Sequence, residues 1–180
     1  MRRPASLTLL AALLTVLPAG AGAASKAEID ARVTGALEEL YGRSAAAREL
    51  SAKASGILVF PRVLKAGFGV GGEYGEGSLL VGGQPVQYYR VASASVGFQI
   101  GGQARAQVLM FMTDAALERF RSSDGWEAGV DGSIAIIEFG VGEDISTHSG
   151  TEPIVGFVFG NKGLMYNLSL EGTRFWKVTK

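Results

Sequence analysis

A glycine run is the first candidate for a binding site in this chain. Residues 67–72 read Gly-Phe-Gly-Val-Gly-Gly, which fits the dinucleotide-binding pattern G-x-G-x-x-G. That pattern holds a pyrophosphate only where it leads from a strand into a helix. Residues 73–78 have no helical pattern. We therefore interpret the run as a bent, glycine-rich strand and expect no cofactor.

The sole histidine, His148, lies in a polar stretch that covers residues 140–153. A Ser-His-Asp hydrolase needs such a residue as a rigidly held general base, whereas a loop position favours a solvated side chain. Glu143 or Asp144 could join His148 in a weak metal site. A chain with one histidine and no cysteine has no multi-histidine or thiolate zinc site, and we expect no metal.

Two carboxylates, Glu73 and Glu76, are candidates for the acid pair of a glycosidase. Residues three apart on a strand face opposite sides, so we interpret both as solvated turn charges. The sequence predicts no catalytic residue and favours a protein without enzymatic activity. A hydrolase of unknown substrate, built around His148 or Glu73, is the least favoured alternative.

Four cations could form a binding patch if folding gathers them: Lys53, Arg62, Lys65 and Lys162. Three apolar residues would then lie beside them: Phe60, Leu64 and Phe68. Such a patch suits an anionic lipid head group, because each basic contact is worth about 1 kcal/mol near a charged membrane surface. The alternative interpretation is scattered surface charge.

Helices are predicted at the start of the mature chain and once within it. Ser25 stands three residues before Glu28, as in a capping box, and apolar residues follow at helical spacing as far as Tyr41. Ser44 offers a cap for a second helix over residues 45–54. Asp114 begins a short internal helix.

The remaining segments read as strands, at residues 57–60, 94–100, 104–112, 134–139, 154–159 and 164–170. Pro61 is expected to close the first, and turns are expected at residues 101–102 and 161–163. The fold class is α+β: a strongly curved, glycine-rich antiparallel sheet or partly closed barrel, with two N-terminal helices and one short internal helix.

Residues 1–23 are predicted to be a secretory signal peptide, because two arginines precede an apolar stretch and an Ala-Gly-Ala cleavage sequence. A retained membrane anchor is a less favoured alternative. Residues 24–180 are long enough for a single domain. Seventeen basic and 17 acidic residues balance, which argues against bulk nucleic-acid binding. With no cysteine for lipid attachment, we expect a periplasmic or secreted protein that can associate peripherally with a membrane.

An ordered set of short motifs resembles the SYLF domain family, also described as lipid-binding and actin-binding domains. The motifs are residues 52–61 (AKASGILVFP), 65–72 (KAGFGVGG), 77–80 (GSLL), 97–101 (GFQIG), 161–164 (NKGL) and 169–173 (SLEGT). The resemblance implies phospholipid binding, with phosphoinositides favoured in eukaryotic relatives and actin bound by some of them. We do not expect an exported bacterial-type protein to meet either, so anionic phospholipid is the expected partner.

These observations favour an exported, non-enzymatic lipid-binding module that contacts anionic phospholipid head groups through a small basic and apolar patch. The resemblance carries the head-group role over to Lys53, Arg62, Lys65 and Lys162. The alternative is a small outer-membrane β-barrel, which export, high glycine content and alternating strands would suit. The predicted helices argue against that alternative.

Overall fold

A computed structural model of the protein describes residues 24–138, 152–162, 170 and 172–180, without the side chains of residues 68–70, 95–101, 138, 161 and 162. The helices are α1 (Lys26–Arg43), α2 (Ala45–Lys53) and α3 (Asp114–Ser122). The strands are β1 (Gly56–Val81), β2 (Gln84–Phe111), β3 (Trp126–Glu127), β4 (Ala135–Glu138), β5 (Ile154–Lys162) and β6 (Arg174–Val178).

All three described helices begin at a hydroxyl side chain that accepts a backbone hydrogen bond. Ser25 accepts from the backbone N–H of Glu28 at 3.3 Å, Ser44 from that of Ala47 at 3.1 Å, and Thr113 from that of Ala116 at 3.2 Å. Each cap satisfies a donor that the first helical turn leaves without an intrahelical partner. The two N-terminal helices and the internal helix are confirmed.

The glycine run lies within a strand, as predicted, but that strand is far longer than the sequence pattern suggested. β1 and β2 pair along nearly their whole lengths as one antiparallel hairpin. Its turn is Gly82-Gly83, where both residues have positive φ (58° and 77°) as a type I′ turn requires. The turn expected at residues 101–102 is wrong, because Gly102 pairs with Ala66 inside the ladder.

Pro61 does not end β1. It lies where the register shifts between Phe60 and Val63, and a proline is tolerated there because a bulge leaves a backbone position without a ladder hydrogen bond. The segment expected to be one short strand therefore continues through the proline.

The six described strands form one curved sheet in the order β3-β6-β2-β5-β4, with β1 on the other edge of β2. Four of the five pairings are antiparallel, and β4 runs parallel to β5. The sheet is thus mixed at this edge, whereas the sequence suggested an antiparallel one. Its curvature makes a half-barrel, which confirms the predicted α+β class with a partly closed barrel. The strand expected at residues 164–170 and the turn at 161–163 fall largely outside the described residues.

Curvature is possible because β1 folds back over itself. A Cβ atom added at Gly77 would lie 1.9 Å from the carbonyl oxygen of Val59, and one at Gly75 would lie 2.8 Å from that of Arg62. Only glycine lets two stretches of backbone come this close.

The sheet separates two cores. Its interior face packs against α3 around Phe120, whose ring lies 4.8 Å from Phe111, 4.9 Å from Tyr89 and 5.7 Å from Trp126 between centroids. Its outer face packs against α1 and α2, through buried residues that include Val108. Successive residues of a strand alternate between these faces.

We expect Gly77→Ala to destabilise the protein by about 3 kcal/mol or more, because the new methyl group would overlap the Val59 carbonyl and the backbone must move. The free energy of unfolding in urea measures this. Gly35→Ala is the matched control: Gly35 lies in α1 with open space around its Cβ position, so alanine should stabilise by about 1 kcal/mol. Equal stability of the Gly77 variant and the wild type would contradict the close approach.

Burial raises the pKa of Tyr89 to about 12, although the charge of Arg121 acts in the opposite direction. An unfolded tyrosine ionises near 10.0, so the folded state resists ionisation. The raised pKa of Tyr89 contributes stability that is fully present below pH 10.0 and is lost as the pH rises through about 12. We expect Tyr89→Phe to flatten the alkaline decline of the free energy of unfolding. Identical alkaline slopes in the variant and the wild type would refute this assignment.

Candidate functional site

A groove with basic walls lies between α1 and the outer face of the sheet, and we call it the basic groove. Its volume is about 750 Å³. Four arginines line it: Arg32, Arg43, Arg62 and Arg105, of which Arg105 pairs with the buried Glu73. Its other lining residues from the sheet and helix are mostly small, and include Ala36, Pro61, Ala104, Ala106 and Gly160. Small side chains leave room for a ligand to approach the backbone of the sheet.

Helix α1 supplies two of these arginines. Arg32 and Arg43 are eleven residues apart, which is three turns, so they lie on one stripe beside the buried apolar residues of the helix. Arg32 pairs with Glu28 at 2.5 Å and Arg43 with Glu39 at 2.7 Å, each one turn away. Both pairs are about half exposed, and exposed pairs of this kind are worth only about 0.3–0.5 kcal/mol. The arginines can therefore exchange these carboxylates for another anion.

Arg62, one of the four predicted cations, is exposed and lines the basic groove. Leu64, predicted to lie beside the cations, is 47% exposed and pairs in register with Ala104 of the groove floor. The backbone of Lys162 pairs with Ala104 from the opposite side. Two strand spacings, roughly 10 Å, thus separate Leu64 from the backbone of Lys162, whose side chain lies outside the described residues.

One of the expected apolar neighbours, Phe60, differs from the prediction, and the structure does not test another, Phe68. Phe60 is fully buried in the interior core, because the strand alternation turns it away from the groove. The prediction that Phe60 lies beside the cations was therefore wrong. The side chain of Phe68 lies outside the described residues.

Lys65 points to the interior face of the sheet, where it joins an ion cluster. Its Nζ lies 3.2 Å from Oε1 of Glu73, whose Oε2 lies 2.7 Å from Nη2 of Arg105. The interpretation of Glu73 as a solvated turn charge was wrong, because the residue is buried. The fold-back of β1 brings its second half, which carries Glu73, over the interior face that carries Arg105.

Glu76 lies apart from this cluster and has its own partners. Lys180 donates to its Oε1 at 2.8 Å, the Tyr74 hydroxyl at 3.1 Å, and the Ala24 backbone N–H to its Oε2 at 3.3 Å. Burial acts to raise the pKa of Glu76, but the hydrogen bonds from Lys180 and Tyr74 outweigh it and hold the pKa below 4.5. The interpretation as a solvated turn charge was wrong here too.

Glu73 and Glu76 therefore do not form a carboxylate pair. The ladder runs without a register shift between these two residues, so their side chains leave opposite faces of the strand. Each carboxylate is already bound by basic side chains of its own face. The two carboxylates therefore do not flank a single glycosidic bond, as the catalytic pair of a glycosidase must.

Lys53 lies at the end of α2, far from Arg62, because the stretch of β1 from Gly56 to Arg62 alone spans roughly 20 Å. Its chain neighbours line a second cavity of about 520 Å³, between α1, α2 and the turn of the hairpin. The lining of that cavity is largely apolar and includes Val33, Leu37, Tyr41, Ile57 and Leu80, with acidic groups at Asp30 and Glu38. Of the predicted cations, Arg62 lines the groove and the backbone of Lys162 pairs with the groove residue Ala104, whereas Lys53 and Lys65 lie elsewhere.

Arg32 and Arg43 were not predicted as site residues, although the signal was present. Residues 32, 36, 39 and 43 follow the 4-3-4 spacing of a helix stripe next to the apolar one. Arg105 was not predicted either, since the residue lies within an otherwise apolar strand and its partners are distant in sequence.

His148, Glu143 and Asp144 lie outside the described residues. Within residues 24–138, 152–162, 170 and 172–180, no group of three or more histidine, aspartate or glutamate side chains is arranged to hold a metal ion. In the same part of the chain, no helix has the length and apolar character needed to cross a membrane.

Comparison with known proteins gives one family. The family model described as "Ysc84: Las17-binding protein actin regulator" matches residues 92–180. These residues include most of β2 and every later element, so they carry part of the groove floor and Arg105. No curated protein matches the chain.

Proposed function

The chain belongs, through residues 92–180, to the Ysc84 family, and from that premise we propose that it is a non-catalytic module that binds anionic phospholipid head groups in the basic groove. The family is associated with lipid and actin binding, and its description names actin regulation and Las17 binding. For this chain we propose only lipid as the ligand. The arrangement of three arginines around one groove carries the proposal.

The charge of the groove supports an anionic ligand. Three guanidinium groups, those of Arg32, Arg43 and Arg62, face a single carboxylate of the lining, that of Glu39. Guanidinium groups bind phosphate through two parallel hydrogen bonds, which favours phosphate over a simple point-charge contact. A phosphodiester that enters the groove would displace the weakly held carboxylates from the two helix arginines.

The shape of the groove supports an amphiphile. Alanine and glycine residues on the sheet let a head group approach the backbone. Leu64, exposed beside the floor residue Ala104, offers apolar surface to the first part of an acyl chain or to the membrane interface. Lipid contact by Lys53, Lys65 and Lys162 stays a prediction, and the proposed site takes Arg62 from the predicted set.

We expect the purified protein to co-sediment with vesicles that contain phosphatidylglycerol and not with vesicles of phosphatidylcholine alone. The triple substitution Arg32→Gln, Arg43→Gln and Arg62→Gln, the groove variant, should lose about 100-fold in affinity, because three contacts are each worth about 1 kcal/mol. Added salt should weaken wild-type binding, since it screens exposed charges.

The matched control removes the same charge elsewhere. Arg119 and Arg121 are exposed on α3 and Lys177 is exposed on β6, and none of them lines the groove. Substituting these three residues by glutamine should change the affinity much less. Equal losses in both triple variants would show that net charge alone drives binding, and equal binding to neutral vesicles would reject the charge mechanism.

We also propose that the protein acts after export, in the periplasm or outside the cell. The apolar stretch and the Ala-Gly-Ala sequence before residue 24 support this. Expressed in a Gram-negative host, the protein should appear in the periplasmic or medium fraction, and N-terminal sequencing should begin at Ala24. A cytoplasmic protein that retains residues 1–23 would contradict the proposal.

A further inference from the structure

The interior face of the half-barrel carries a second, buried group of basic side chains. We call Lys65, Glu73 and Arg105 the interior cluster. The exposed fractions of their side chains are 12%, 3% and 1%. Two buried amides, Gln103 and Gln107, lie opposite Lys65 and Phe60 in the β1–β2 ladder. This end of the interior is polar, whereas the end around Phe120 is apolar.

The interior cluster has more positive than negative charge. Glu73 is the one carboxylate that the described side chains supply to it, and it is shared between Lys65 at 3.2 Å and Arg105 at 2.7 Å. The cluster therefore has a net charge of one positive unit in a region that excludes most water. A buried charge without compensation is costly, so such sites are normally completed by a counter-charge.

The Arg105 guanidinium has hydrogen-bonding capacity left over. Its Nη2 donates to Glu73. With the Gln107 amide oxygen turned toward Arg105, that oxygen accepts from Nε and Nη2 at 3.0 Å each. The third nitrogen, Nη1, is buried and has no hydrogen-bond partner among the residues that the structure describes. Buried donors are almost always satisfied, which makes an unpaired guanidinium nitrogen a sign of a missing acceptor.

We propose that the interior cluster is a binding site for one phosphate group, held between Nη1 of Arg105 and Nζ of Lys65. The phosphate would supply both the missing acceptor and the missing negative charge. Arginine gives directional donors and lysine a point charge, a combination that suits a tetrahedral oxyanion. Lys65 is the most exposed member and marks the side from which the ligand enters.

Arg105 is common to this site and to the lining of the basic groove, but its side chain pairs with Glu73 on the interior face, opposite the face of Ala104 and Ala106. The other members of the interior cluster, Lys65 and Glu73, do not line the groove. The phosphate could be free or could be the head group of a lipid, and the two sources can be separated by experiment. The inference does not rest on the proposed vesicle binding.

Calorimetric titration of the groove variant with inorganic phosphate tests the inference, because that variant lacks Arg32, Arg43 and Arg62 but retains Arg105. We expect saturable binding. Adding Lys65→Gln should weaken it at least about tenfold, whereas adding Arg119→Gln, which removes an exposed cation, should change it less than about twofold. A parallel titration with a short-chain, water-soluble phosphatidate identifies the source: tighter binding than inorganic phosphate assigns a lipid head group, and weaker binding assigns a free phosphate.

The stability of Lys65→Gln without phosphate separates a ligand site from a structural ion cluster. If the second cation serves a ligand, its removal leaves the Glu73–Arg105 pair balanced, and the thermal midpoint should stay the same or rise. A lysine that only neutralises Glu73 would lower the midpoint when removed, and that result would overturn the inference. So would the absence of saturable binding to either phosphate compound.

A measurement on the unsubstituted chain makes the test independent of variants that fail to fold. Phosphate should shift the side-chain nitrogen resonances of Arg105 and Lys65 in NMR spectra, and those of Arg119 should stay in place. Shifts at Arg119 without shifts at Arg105 would refute the site. Lys65→Gln should still co-sediment with anionic vesicles, so failure of this site and failure of the groove give different results.

Discussion

The close contact between two stretches of β1 is the constraint on which the rest of the structure depends. Gly77 touches the carbonyl of Val59, and Gly75 touches that of Arg62, at distances that no side chain allows. With these contacts the long hairpin closes on itself and creates an interior. The same fold-back carries Glu73 to Arg105, so the close approach at Gly75 and Gly77 also supports the buried ion cluster.

The sheet acts as a partition between two environments of different polarity. On its outer face, arginines from α1 and β1 surround an open groove, and their carboxylate partners are exposed and weakly bound. On its interior face, the ion pairs are buried, so the removal of one partner costs more stability than it does at the exposed pairs. A single strand segment, residues 104–106, contributes to both sides. Basic residues that look alike in the sequence therefore have different physical roles.

Local signals in the sequence predicted the helices well. Ser25, Ser44 and the residues around Asp114 act through capping and spacing, which involve neighbours within one turn. Strand limits were predicted less well, because pairing depends on distant partners. Pro61 illustrates this, since a proline that usually ends a strand is accommodated by a bulge whose position depends on the register with β2.

The residues of the candidate site were likewise predictable only where the signal was local in sequence. Arg62 was identified from its sequence neighbours, and the stripe of Arg32 and Arg43 was readable from helical spacing. The interior position of Lys65 was not readable, because the residue faces inward only through the register that β1 adopts after the bulge. Arg105 lies within an otherwise apolar strand and was not singled out, and its partner Glu73 was interpreted as a turn charge. Both assignments needed the three-dimensional path of the hairpin.

The order of strands in the sheet also bears on how the chain acquires its structure. β6, which is formed by residues near the end of the sequence, lies between β3 and β2, and Tyr88 of β2 pairs with Val178, 90 positions later. Contacts between such remote segments form slowly, because a long loop must close before any pairing is gained. β6 therefore joins the sheet only after almost all of the polypeptide has left the ribosome.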